Sequence, residues 1–315
     1  MKQVRVAAVQ AEPKWLHLAA GVEQAIGLIE QAAAGGARLV AFPECFLPGY
    51  PWWMWLPSVD WGDDFLARYR QNALSADGAE LRALAYAARR TEVHVSIGFA
   101  ERVRGTVLMS QAFIDAEGTV SISRKAEPTG LERTVFGTGS GEPLVRDTAL
   151  GRIGVLGGAD HLRDDMRGAI QAEREQIHIA SWSGFTAYHG VSKDRGAEIN
   201  HAADVRYAMD TRAYVIAPVA IVPVAGWEVV DARSPERRLL RSGGGTARIL
   251  GPSGLDMAPP LAPEQEGLLF ADLDMTRAPQ PRRVSGGLLE RDVCRVPSGR
   301  VARREPARPR ETEPA

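Results

Sequence analysis

Two side chains in the first half of this 315-residue chain are placed to do acid–base chemistry. Glu44 follows Arg38-Leu39-Val40-Ala41-Phe42-Pro43, an apolar run that reads as a buried strand. Open α/β sheets place their ligands at the carboxyl ends of strands, and burial there raises a carboxyl pKa toward neutrality, which suits a general base. A structural carboxylate capping a turn would leave the same trace in the sequence. Lys125 lies in Ser123-Arg124-Lys125-Ala126-Glu127-Pro128-Thr129 and is the only lysine between Lys14 and Lys193 in an arginine-rich chain. A composition that prefers arginine but keeps one lysine points to a need for a compact ammonium, the alternative being a surface lysine beside a proline turn. In one pocket, the pair could deprotonate a nucleophile and stabilise the negative charge that develops.

The elements that must carry these residues alternate strand and helix. Val4 to Val9 reads as a buried strand. A helix from about His17 to Ala34 follows, with Val22, Ile26, Leu28 and Ile29 on its apolar side, closed by Gly35-Gly36. After the strand ending at Phe42, a helix over about 79–90 leads into the strand Val93 to Ile97. Met109 to Ile114 and Val120 to Arg124, joined through Asp115-Ala116-Glu117-Gly118, form a hairpin pattern that ends against Lys125. Strands are expected at 152–156, 177–180 and 214–218, helices at about 163–175 and 197–212, and a late hairpin from Ala247–Leu250 and Leu268–Leu273. Such an order predicts an α/β fold with mixed sheets, two strand layers covered by helices.

Composition narrows the function. Hydrophobic residues are 45% and charged residues 24%, enough for a sizeable core, and the net charge of -1 gives no pull toward nucleic acid or anionic membrane. No stretch approaches the roughly 20 apolar residues of a membrane span, and the N-terminus lacks a signal-peptide pattern. Cys45 and Cys294 make neither a disulfide framework nor a zinc spacing. A cytoplasmic protein acting on a small molecule is the expectation, without a cofactor. From Val296 the chain turns to Pro, Arg and Glu, so 1–295 reads as one domain and 296–315 as a disordered or contact-arm tail.

Several segments, in order, resemble the nitrilase (carbon-nitrogen hydrolase) superfamily, in its nitrilase and cyanide-hydrolase branch. Phe42-Pro43-Glu44 with Phe46-Leu47-Pro48-Gly49-Tyr50-Pro51-Trp52-Trp53 is similar to the catalytic-glutamate motif. Arg124-Lys125 with Pro128-Thr129 and Glu132-Arg133-Thr134-Val135-Phe136-Gly137 is similar to the catalytic-lysine motif and the second glutamate behind it. Arg152-Ile153-Gly154-Val155-Leu156 resembles the strand leading to the nucleophile, and His178-Ile179-Ala180-Ser181-Trp182, Gly243 to Ala247 and Glu266-Gly267-Leu268 resemble later segments. The resemblance spans residues 3–295. It implies a four-layer αββα sandwich and a homo-oligomer, with Glu44 as general base, Lys125 as the oxyanion-stabilising cation and Glu132 orienting Lys125. Trp52, Trp53 and Trp182 become candidates to bind an apolar or aromatic substrate, although the tryptophan cluster after Glu44 is equally a packed loop or a subunit contact.

At the nucleophile the chain departs from the family. The run is Leu156-Gly157-Gly158-Ala159-Asp160-His161-Leu162, which puts Gly158 in the cysteine position, Ala159 in that of the following tryptophan and Asp160 in that of the glutamate. Glycine forms no acyl-enzyme or thioimidate. Cys45, by strand alternation, is expected to point away from Glu44 as a core cysteine. Asp160, His161, Asp164 and Asp165 could ligate a metal, but Asp164 and Asp165 read better as first-turn helix acids and His161 has a family counterpart, so no metal is expected. Two functions stay open. One is a cysteine-free enzyme that hydrolyses, condenses or cyclises a nitrile, an amide or a secondary-metabolic intermediate. The other is an inactive subunit with a nitrilase fold.

Overall fold

A computed structural model describes residues 3–55, 62–142, 144–184, 197–222 and 244–279. The expected tail at 296–315 and Cys294 lie outside the described residues.

The strand β1 (Gln3–Ala11) alternates its side chains between two cores. Val4, Val6 and Ala8 face one, and Ala7, Val9 and Ala11 the other. Helix α1 (Leu18–Ala34) begins where the His17 imidazole accepts a hydrogen bond from the Ala20 N–H, and it buries Val22, Leu28 and Ile29, with Ile26 partly buried. Strand β2 (Leu39–Ala41) follows. Helices α2 (Gly62–Gln71) and α3 (Ala79–Thr91) lead to β3 (His94–Val103), β4 (Thr106–Ile114) and β5 (Val120–Arg124). Then come β6 (Leu144–Thr148), β7 (Gly151–Gly157), α4 (Asp164–Ala172), β8 (Ile177–Ser181), α5 (Ala197–Thr211), β9 (Tyr214–Ala217), β10 (Val219–Ala220), β11 (Arg248–Leu250) and β12 (Gly267–Asp274).

Two mixed sheets result. One runs β10-β1-β2-β3-β4-β5 with β12 also paired to β1, and the other runs β11-β9-β8-β7-β6. Helices α1 and α3 cover the outer face of the first sheet through Ala25, Ile29, Leu81 and Leu84. Between the sheets lies a second core, where Val6, Leu39 and Ala41 meet Ile153, Ile177, Ile179 and Ile216. Met166 and Ile170 of α4 and Tyr207 and Ala208 of α5 cover the far face of the second sheet. These are the layers of an αββα sandwich. Because β1 and β2 are buried on both faces, they read as continuous apolar runs rather than alternating ones.

The late hairpin is corrected. β11 pairs antiparallel with β9, whereas β12 pairs antiparallel with β1 in the other sheet. Local apolar patterning marks both segments as strands, but long-range pairing chooses their partners. The turn at 115–118 does join β4 to β5, with Ala112 opposite Ile122.

The carboxyl ends of β2 and β8 are tied across the sheets. The Ser181 hydroxyl donates to the Phe42 carbonyl at 3.2 Å, and the Glu44 N–H donates to the Trp182 carbonyl at 3.3 Å.

Candidate active site

Glu44 stands three residues beyond β2 on a segment pressed against β3. A β-carbon at Gly98 would lie 2.5 Å from the Cys45 nitrogen, 2.5 Å from the Pro43 oxygen and 2.7 Å from the Glu44 α-carbon. Only glycine at that point of β3 lets the chain approach so closely. Lys125 follows β5 directly, fixed by its N–H to the Met109 carbonyl at 2.9 Å and by the Gly139 N–H on its own carbonyl at 2.9 Å. Beside it, Arg124 forks onto buried Glu101 with two bonds of 2.7 Å, and the Ser110 hydroxyl gives Glu101 a third. Glu132 lies in the 3-10 turn Gly130–Thr134.

The three groups meet in the protein interior. Lys125 Nζ is 3.1 Å from Glu44 Oε1 and 3.2 Å from Glu132 Oε2, and all three residues are buried. Glu132 is further held by the Tyr50 hydroxyl at 2.8 Å and the Thr129 N–H at 2.7 Å. Burial pushes the Glu44 carboxyl up to about 7, only partly opposed by Lys125. For Glu132 burial acts the same way, but Lys125 and the Thr129 and Tyr50 donors outweigh it and hold the carboxyl below its ordinary value. Burial alone would lower Lys125; the carboxylates of Glu44, Glu132 and Asp160 outweigh it and keep the ammonium charged. Thus one carboxylate of the cluster is poised to exchange a proton near neutrality, while the other is a fixed anion.

Gly158 sits where β7 turns into the 3-10 segment Gly158–Leu162, with φ at +47°. A β-carbon there would fall 2.4 Å from Glu44 Oε2 and 2.7 Å from Oε1, so the Glu44 carboxylate fills the ground a side chain would take. Next to it is a cavity of about 20 Å³ lined by Glu44, Lys125, Asp160, Gln111, Ser123 and Gly157, among others. That is room for about one water.

Asp160 is buried on this cavity, and burial raises its carboxyl above the ordinary value despite Lys125 and Arg163. His161 is not on the cavity. Its ring is wholly buried behind the site, 4.9 Å from His178, 5.3 Å from Trp182 and 5.2 Å from Tyr207, and burial holds it well below its ordinary pKa. In the same layer Glu175 takes His178 Nδ1 at 3.0 Å and the Tyr207 hydroxyl. Trp182 directs its indole N–H to Asp204 at 3.2 Å, away from the cavity lining. Trp52 and Trp53 pack with Trp15, and Trp53 also stacks edge-on against Tyr69; neither lines the cavity.

Cys45 belongs to that aromatic cluster, fully buried, and burial raises its thiol well above the ordinary value. Strand alternation is not what turns it there: β2 ends at Ala41 and Cys45 has a φ of +49° in the following turn. Asp164 and Asp165 open α4, paired with Arg167 and Arg163 as first-turn acids. Among the described residues no three His, Cys, Asp or Glu side chains form a set that could hold a metal ion. The centre of the acidic cluster is taken by the Lys125 ammonium. No helix of the described residues is long and apolar enough to cross a membrane.

Gln111 and Gly98 carry no sequence signal, since each acts through a tertiary approach that leaves no local pattern, and Tyr50 stands in the quoted glutamate segment without a role that the segment alone would give it.

The chain belongs to the carbon-nitrogen hydrolase family, whose model matches residues 5–283. It is 41% identical over 298 residues to a nitrilase of Pseudomonas syringae pv. syringae, covering 93% of this chain and 89% of that one. It is 39% identical over 276 residues to an arylacetone-specific nitrilase of Alcaligenes faecalis, covering 87% and 78%. Among solved structures, a mutant of the Nesterenkonia AN1 amidase from the nitrilase superfamily superposes with a TM-score of 0.65 at 18% identity, covering 87% of this chain and 92% of that one. XC1258 of Xanthomonas campestris, a CN-hydrolase superfamily protein, gives 0.66 at 17% identity with 87% and 91% covered. At that identity the two structures share the fold.

Proposed function

We propose that this protein processes a carbon–nitrogen bond without a covalent enzyme intermediate. Glu44 acts as general base, Lys125 stabilises the developing oxyanion or nitrogen anion, and Glu132 orients Lys125. The observation that carries the reading is the Glu44 carboxylate standing against Gly158 while still paired to Lys125. A base there faces the place from which a thiol would attack in the family pattern, so it can deprotonate a water instead. The names of the relatives support a nitrile as substrate, and the superfamily's amidases make an amide the natural second class.

The balance of each step is simple. With an amide, the water oxygen bonds to the carbonyl carbon as the C=O π pair moves onto the oxygen held by Lys125, and a water proton passes to Glu44. That pair then returns to re-form C=O as the C–N bond breaks, and the leaving nitrogen takes the C–N pair and the proton from Glu44. With a nitrile, one π pair of the C≡N bond moves to nitrogen, which is protonated by Glu44, and the hydroxy-imine becomes a primary amide. One water therefore takes a nitrile only as far as the amide. A homo-oligomer, which the resemblance alone supports, and a cytoplasmic location, which the composition supports, are part of the same reading.

The test is turnover of a nitrile and amide panel by the wild type, Glu44→Gln, Lys125→Ala and the double variant Cys45→Ala with Cys294→Ala. Activity should survive loss of both thiols and vanish in the first two variants. Loss of activity with the cysteines would overturn the cysteine-free reading, and activity that persists in Glu44→Gln and Lys125→Ala would overturn the acid–base roles. The small cavity favours a second reading, a non-catalytic nitrilase-fold subunit. It would be preferred if no substrate of the panel turned over while a partner protein co-purified.

A further inference from the structure

Gln111 is 94% buried, being 6% exposed, yet neither atom of its carboxamide has a hydrogen-bond partner in the protein. The side chain lies on the cavity beside Glu44. From the point where a β-carbon of Gly157 would stand, Gln111 Nε2 is 3.4 Å away and Glu44 Oε1 2.9 Å. Across the same cavity Asp160 Oδ1 is likewise unpartnered, its nearest cation being Arg163 at 4.0 Å, beyond hydrogen-bond reach. A buried polar group left without a partner is costly, so a donor, an acceptor and a carboxylate oxygen left open around one small space require an occupant.

The geometry points to Gln111 and Asp160 as the pair that seats the attacking water in front of Glu44. A space of about 20 Å³ holds about one water, and a water there finds the two to four polar partners it needs. It would donate to Glu44 and to Gln111 Oε1 or Asp160, and accept from Gln111 Nε2, which aims a lone pair outward at the substrate carbon. Register explains why the amide is there. Gln111 on β4 faces Ser123 on β5, two residues before Lys125, so the hairpin that delivers the cation also delivers the amide. This inference rests on the proposed hydrolytic role of Glu44 and adds two residues to it.

The test pairs kinetics with crystallography on the whole protein. Gln111→Leu and Asp160→Asn should each lower kcat on the order of 10²-fold, the cost of misplacing a reactant, and leave KM nearly unchanged. Crystals of the wild type should show an ordered solvent molecule within hydrogen-bond distance of Gln111 and Asp160, and crystals of Gln111→Leu should lack it. A raised KM with kcat intact would overturn the proposal in favour of a substrate grip. So would wild-type density in which Gln111 bonds directly to a protein group with no solvent between. Should Gln111→Leu fail to fold, Gln111→Asn and Asp160→Asn carry the same comparison. If the wild type turns over no nitrile or amide, the functional reading falls, and the water's chemical role with it. The solvent density still decides separately whether the seat exists.

Discussion

The carboxylate carbon of Glu44 lies 2.8 Å from the point a β-carbon on Gly158 would occupy. The two positions compete for one space, so the residue at 158 and the posture of the Glu44 carboxylate are not independent.

Gly158→Ala should therefore drive Glu44 off Lys125. The left-handed φ of +47° adds strain, and overpacking of a buried site costs about 1–3 kcal/mol. Denaturant unfolding and turnover should fall together. A variant as stable and as active as the wild type would show that Glu44 is free to move aside.

Lys125→Met keeps the length of the side chain and removes the charge. It leaves Glu44 and Glu132 facing each other without their shared cation, and breaking a buried ion pair from one side costs about 3–5 kcal/mol. Chemical denaturation at neutral pH measures it. Unaltered stability would mean that the cluster is solvated in a way the burial of all three residues contradicts.

The pH dependence follows from Glu44. Between its ordinary value of 4.5 and about 7, the folded state holds the proton and the unfolded state does not. The folded protein then binds more protons, so this group's contribution to stability is full below 4.5 and is lost as pH rises to about 7. Buried His161 has the opposite sign, being neutral when folded, so the comparison must be made against a variant. Glu44→Gln should gain stability relative to the wild type as pH rises through that window. A difference that stays flat would contradict the raised carboxyl. Wild-type kcat/KM should rise through about 7 as the base ionises.

Gly98→Ala should be among the most damaging small substitutions. All three atoms its β-carbon would strike are backbone of the Pro43–Cys45 segment, which cannot swing aside as a side chain can. A loss of about 3 kcal/mol is expected, the upper end for overpacking, together with loss of activity. Thermal unfolding of the variant checks it, and an unchanged midpoint would refute the close approach.

How far the sequence announces all this varies with the kind of information required. Glu44 and Lys125 are legible because one ends an apolar run and the other is isolated among arginines. Glu132 is legible only through its resemblance to a family segment, since nothing local ties it to Lys125. Gln111 is invisible as a site residue: inside an apolar strand it looks like one polar interruption, and its meaning depends on register with Ser123 and on a second sheet. The strand Leu144–Thr148 escapes notice because only Leu144 is buried, so no two-residue alternation appears. The layers are readable from the order of elements, but the split of β11 and β12 between sheets is set by partners far away in the chain.

One of those pairings carries a consequence for how the protein comes into being. β12 lies against β1 from Gln3 opposite Asp274 to Gln10 opposite Gly267. Glu44 and Lys125 leave the ribosome before the last strand of their sheet, and contacts so distant in sequence form late and slowly. The acid–base cluster is thus assembled after most of the chain is made. A chain cut before Gly267 lacks the antiparallel partner of β1, and the proposed base and cation would then stand on an incomplete sheet.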